Sequence, residues 1–234
     1  MSMAYYHSLG NLRISGLSNK LKNIHDYIDT ILQILEWILI WPNSENKEST
    51  IMPYIIINTN ETNRLYIIKS SQIVSFAFPL NLIEKTTGWK IHCMDLELTS
   101  SIITIAKTIS EECRKNPTVP YSIIAENYDR SDSDQYGGIK LYEKIAFSEP
   151  AYLRYDFDPK SYHEKKHPIN HLDINFIPKL SYKIGIYKKI EIKDFEQILF
   201  PKTSCWFIKH GDDISLKRLD LKKKFSNKNR IKKK

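Results

Sequence analysis

Two short stretches, AYLRYDF (151–157) and HLDINFI (171–177), alternate apolar and polar residues position by position. This pattern limits the fold more than any other feature of the chain. Successive side chains of a strand point to opposite faces, so Leu153, Tyr155 and Phe157 go one way while Tyr152, Arg154 and Asp156 go the other. In the second stretch Leu172, Ile174 and Phe176 oppose His171, Asp173 and Asn175. Paired as antiparallel neighbours, the two stretches predict a sheet with one apolar and one solvated face.

The flanking segments extend that sheet. YIIIN (54–58), RLYIIKS (64–70) and QIVSFAF (72–78) are short β-branched runs, and TNETN between the first two suits a hairpin. WKIHCMDLEL (89–98) begins extended. IKLYEKIAF (139–147) is read as part of the sheet, with Ile139, Leu141, Ile145 and Phe147 on one face, after a polar loop at 127–138. SYKIGIYK (181–188) supplies a further strand.

Three segments have helical spacing. Over 18–41, Leu21, Ile24, Ile28, Ile31, Leu35 and Ile38 recur every three or four residues, with Ser18 placed to cap and Pro42 to stop. That helix serves either as a core helix across the sheet or as a docking helix for a protein partner or a second copy. A second helix carries Ile102, Ile105, Ala106, Ile109 and Cys113, capped by Thr99 or Ser100 and closed before Pro117. A short one spans 191–200, with Phe195, Ile198 and Leu199 inward. The expected class is α+β: an antiparallel meander covered on one face by the long N-terminal helix and the second amphipathic helix. A single domain is expected over 1–210, followed by a basic, flexible tail at 211–234.

The net charge of +8 belongs to that tail. Between Lys217 and Lys234, ten basic residues against Asp220 alone give +9, which leaves about −1 for residues 1–216. Lys222, Lys223, Lys224, Lys228, Arg230, Lys232, Lys233 and Lys234 are the expected nucleic-acid contacts, RNA ahead of DNA. Cys93, Cys113 and Cys205 are scattered, without metal or redox spacing, and are expected as reduced thiols. No secretory leader pattern opens the sequence. The apolar run ILQILEWILIW is too short and too interrupted to cross a bilayer, so a cytoplasmic protein without membrane contact is expected.

The densest group of reactive side chains is RYDFDPKSYHEKKHPINHLD (154–173). Strand pairing puts Arg154, Asp156, His171 and Asp173 on one face, about 5 Å apart across strands. A thirteen-residue loop at 158–170 adds Asp158, His163, Glu164 and His167, with Pro168 fixing the backbone before it. Three readings fit. The first is metal-independent phosphodiester cleavage with one histidine as base, another as acid, and Arg154 facing the phosphorane. The second is a metal site built from His167 and His171 with His163, Asp156 or Asp173. The third is an ion-pair network on a solvated strand face. His25, Asp26, His92 and His210 read as surface, edge or loop positions. No phosphate loop, nucleophilic serine motif or dinucleotide fingerprint is present.

LRYDFDP (153–159), HPINHL (167–172) and FEQILF (195–200) resemble an uncharacterised bacterial domain family with an L-R-[YF]-D-x-D-P strand end, an H-P-x-x-H-L strand start and a distal F-x-x-I-L-[FY] helix. The R-x-D … H-P … H order also bears a looser likeness to TumE-type toxins of toxin–antitoxin pairs. Many relatives carry His two residues after the second histidine, where this chain has Asp173. The resemblance implies a bacterial protein of the defence or toxin–antitoxin kind and supplies no reaction. The expected function is thus a nucleic-acid-directed component of such a system, with Arg154, Asp156, His167, His171 and Asp173 as the catalytic group. The alternative is a non-enzymatic subunit that docks through helix 18–41 and holds nucleic acid with its tail.

Overall fold

The computed structural model describes residues 4–8, 21–40, 53–59, 62–85, 88–163, 166–175, 182–199, 206–208 and 216–218. Seven strands form the main sheet: β1 (Ala4–Ser8), β2 (Tyr54–Asn58), β3 (Arg64–Lys69), β4 (Gln72–Ala77), β8 (Leu153–Phe157), β9 (Asn170–Ile174) and β10 (Tyr182–Gly185). They lie side by side in that order, and every pair is antiparallel. The expected α+β meander is therefore present. It is interrupted twice, between β1 and β2 by a helix and between β4 and β8, where the chain leaves the sheet and supplies about half of the larger core.

That excursion holds a second sheet of β5 (Asn81–Lys85), β6 (Gly88–Cys93) and β7 (Leu96–Glu97), then three helices. Helix α1 (Ile24–Ile40) precedes it in the chain. Within it come α2 (Ser100–Lys115), α3 (Tyr121–Ala125) and α4 (Ser133–Ala146), and α5 (Ile192–Leu199) follows. A separate two-stranded sheet pairs β11 (Trp206–Ile208) with β12 (Leu216–Arg218).

Alternation gives the main sheet two apolar faces. Ile55, Ile57, Leu65, Ile67, Val74 and Phe76 join α1, α2, α4 and the small sheet in the larger core. Ile56, Tyr66, Ile68, Ile73, Leu153, Tyr155 and Leu172 face Phe195 of α5 in a smaller one. Helix α1 is a core helix. Tyr27 meets Phe76 edge-on at 5.6 Å, and its hydroxyl donates to the Ala77 carbonyl at 3.2 Å. Of the residues in Ile24–Ile40, Ile40 alone is exposed, so no apolar stripe of this helix is left for a partner.

Three expectations need correction. Helix α1 starts at Ile24, and Asn23 is the capping residue, its Oδ1 accepting from Asp26 N at 3.0 Å; Ser18 lies outside the described residues. The stretch read as strand at 139–147 is helix α4. The polar run ahead of it is the helix start, because the Asp132 side chain accepts from the Asp134 and Gln135 amides. Its glycine pair concealed the helical spacing, yet has a packing reason: a Cβ on Gly137 or Gly138 would run into Ile102 or Ile105 of α2. Phe147, read as inward, is 71% exposed. Lastly, β9 ends at Ile174, where Asn175 turns to φ 63, a conformation asparagine tolerates better than most; Phe176 and Ile177 lie outside the described residues.

Thr99 caps α2 as expected, its side chain accepting from Ile102 N. Cys93 and Cys113 are free thiols, while Cys205 and His210 lie outside the described residues. No helix among the described residues is long and apolar enough to cross a membrane.

Candidate functional site

The expected pairing of β8 with β9 is present, and its register arranges the polar residues in two rungs. Asp156 lies opposite His171, with Gln72 of β4 beside Asp156 and Gly185 of β10 beside His171. Arg154 lies opposite Asp173, with Lys183 of β10 next in line. By alternation all of these side chains share the Tyr152 side of the sheet, at the flank of the larger core.

The face is not solvated. Arg154, Asp156, His171 and Asp173 are only 6%, 9%, 0% and 4% exposed. Burying such groups is costly unless each finds a partner, and here each does. Arg154 donates from Nε to Asp156 Oδ2 at 2.8 Å, from its terminal nitrogens to Tyr152 Oη at 3.3 Å, and to Asp173. Gln72 Nε2 donates to the other Asp156 oxygen at 2.7 Å. Lys183 Nζ donates to Asp173 Oδ1 at 2.6 Å and reaches His171 Nε2 at 2.9 Å. The ion-pair network of the third reading is thus real, but it is interior.

His171 has one arrangement of protons consistent with these contacts. Its Nδ1 lies 2.8 Å from the Pro168 carbonyl, an acceptor only, so Nδ1 carries the hydrogen. Nε2 then accepts from Lys183 and turns its lone pair toward Asp156 and Asp173, at 3.4 and 3.9 Å. The close approach of Pro168 depends on Gly185, where a Cβ would come within 2.9 Å of Pro168 Cγ.

His167 is the half-buried imidazole beside the cluster, its ring 4.6 Å from that of His171 and nearly perpendicular to it. Its Nδ1 is buried without a hydrogen-bond partner among the described residues. The loop that carries it folds back on itself. His163 and His167 exchange backbone hydrogen bonds at 2.8 Å in each direction, and Asp158 N donates to the Ile169 carbonyl. His163 itself is exposed, so the structure does not bring it into the cluster.

The electrostatics follow from burial and pairing. For Asp156, burial alone would raise the carboxyl. The hydrogen bond from Gln72 and the charge of Arg154 outweigh it and hold the group well below the usual carboxylate range. Burial, then the charge of Lys183, pulls the His167 imidazole below its ordinary value. Burial and the Arg154 charge likewise lower the Lys69 ammonium, against the attraction of Asp156.

The sequence reading brought together Arg154, Asp156, His171 and Asp173 correctly and set His167 next to them. It missed Lys183, Gln72, Gly185 and Lys69, and put Tyr152 on the right face without giving it a role. Lys183 and Gly185 share a face within the alternating SYKIGIYK, but only the register places that face against Asp173 and His171. His25 and His92 are half-buried on α1 and β6, apart from the cluster. Lys222 to Lys234 lie outside the described residues, whereas Lys217 and Arg218 are strand residues of β12. Comparison with protein-family models, with curated proteins and with solved structures found no match to the chain.

Proposed function

We propose that the chain acts on the phosphodiester backbone of nucleic acid, RNA before DNA, as a component of a bacterial defence or toxin–antitoxin module. The observation that carries this reading is a charged cluster in which every group is oriented by a neighbour, with a half-buried imidazole at its side. Arg154, Lys183 and Lys69 outnumber Asp156 and Asp173 by one, a balance that favours a phosphate.

The roles differ from a simple pair of histidines. His167, held below its ordinary value, is neutral near pH 7 and able to take the proton of a ribose 2′-hydroxyl. Attack of that oxygen on phosphorus breaks the bond to the 5′-oxygen, which leaves with a proton from solvent. Lys183, whose side chain is 32% exposed, faces the charge that develops. His171 is fully buried and acts by orienting Lys183 instead of touching substrate.

The test is cleavage of matched RNA and DNA oligonucleotides by the full chain. His167→Ala and Lys183→Ala are expected to lose at least about a hundredfold in rate. Unchanged cleavage by both would end this reading. A subunit that docks through α1 is the competing idea, and it lacks a free apolar face on that helix. Its nucleic-acid half is tested by removing residues 217–234: the salt dependence of binding should flatten if the tail holds phosphates.

A further inference from the structure

We infer that Asp156, His171 and Asp173 form a divalent-cation site of the zinc or manganese class, closed in the resting protein by the ammonium of Lys183. One ligand atom from each of the three residues lies within 4.8 Å of the others. A neutral imidazole nitrogen and two carboxylates are the donors such ions accept, and the nitrogen disfavours magnesium and calcium.

The arrangement around these donors is what a cation site needs. A ligating histidine donates its other ring N–H to a fixed acceptor, and His171 Nδ1 does so to the Pro168 carbonyl. Ligating carboxylates are themselves oriented from outside: Gln72 holds one oxygen of Asp156, and Arg154 holds one oxygen of Asp173. Asp156 Oδ2, which also accepts from Arg154 Nε at 2.8 Å, lies 3.4 Å from His171 Nε2, and Asp173 Oδ1 lies 3.9 Å from the same nitrogen. A cation already sits against two of them, since Lys183 Nζ lies 2.6 Å from Asp173 Oδ1 and 2.9 Å from His171 Nε2. Beside the cluster, the buried Nδ1 of His167, without a hydrogen-bond partner among the described residues, offers a fourth donor.

Lys183 can leave. It stands on β10, the edge strand of the main sheet, with a third of its side chain in solvent. Its long stem lets the ammonium swing outward without moving the strand. Replacing it with a divalent ion raises the local positive charge by one, which deepens the phosphodiester reading by supplying a Lewis acid. The cation site itself does not depend on that reading, because it requires no nucleic acid.

The experiment is calorimetric titration of the chelator-treated full chain with zinc and with manganese, for wild type, Lys183→Met and Asp173→Asn. One ion per chain is expected. Lys183→Met should tighten binding by about tenfold or more, because the internal competitor is gone. Asp173→Asn should weaken it about 10- to 100-fold. Broadening of the His171 ring signals by manganese in the wild-type protein locates the ion and does not rely on a buried variant folding. If folded wild type and folded Lys183→Met both bind neither ion, or if manganese leaves the His171 signals sharp, the inference is overturned. A chain that binds metal and cleaves nothing keeps this site and loses the proposed reaction; one that cleaves in chelator and binds no metal does the reverse.

Discussion

Arg154 stands opposite Asp173 across the β8–β9 ladder and bonds to Asp173 and Asp156 at once. Both carboxylates are interior, so removing the guanidinium leaves buried charge without its main partner. Arg154→Met is expected to cost about 3–5 kcal/mol of folding stability. Urea denaturation measures it, and a loss below about 1 kcal/mol would mean that water reaches the cluster freely.

Asp156 predicts an acid limb in the stability profile. Its carboxyl is held low in the folded chain, so the unfolded chain takes up the proton first as pH falls. The stabilisation is full above about pH 5, begins to fade near the ordinary aspartate value of about 3.9, and continues to fall below it. Asp156→Asn should flatten this limb in thermal melts taken between about pH 2 and pH 5.

His167 titrates in the opposite sense of usefulness. Its folded-state value is lowered, so the imidazole is neutral in the folded chain at a pH where the unfolded chain has begun to protonate. It therefore contributes fully above about pH 6.5, and that contribution declines as pH falls below it. Proton NMR of the ring should show a midpoint below the ordinary histidine value, and any cleavage should hold its rate to that lower pH. A midpoint above about 6.5 would remove His167 as the base.

Gly185→Ala tests how far the site depends on one missing methyl group. The new Cβ would press on Pro168, whose carbonyl fixes the His171 tautomer. A destabilisation of about 1–3 kcal/mol is expected, together with a changed nitrogen-15 signature of the His171 ring. The same logic applies away from the site. Gly138→Ala gains about 1 kcal/mol of helix propensity yet collides with Ile105, so the net outcome in thermal denaturation should be destabilising.

Strict alternation made the polar cluster legible in the sequence, because a period of two assigns faces without knowledge of the partner strands. The register was not legible, and with it went Lys183 and Gln72, which join the cluster only through pairing with β9 and β8. Burial was also hidden. Arg154, Asp156, His171 and Asp173 look like a solvated face in one dimension, and their mutual satisfaction in three is what permits an interior position. Helix α4 was misread for a local reason: Gly137 and Gly138 depress helix propensity while serving the close approach to α2.

The two rungs have a consequence for how this chain can change over time. Strand pairing moves in whole residues, so a one-residue insertion or deletion that slips β9 against β8 would bring Leu172 where Asp173 stands and turn both acidic rungs inside out. No intermediate geometry exists between a complete cluster and none. Substitutions can tune the site by degrees, whereas a length change in the 158–169 connection that slips the register removes the whole cluster at once. Descendants of this chain should therefore vary more freely in the composition of that segment than in its length.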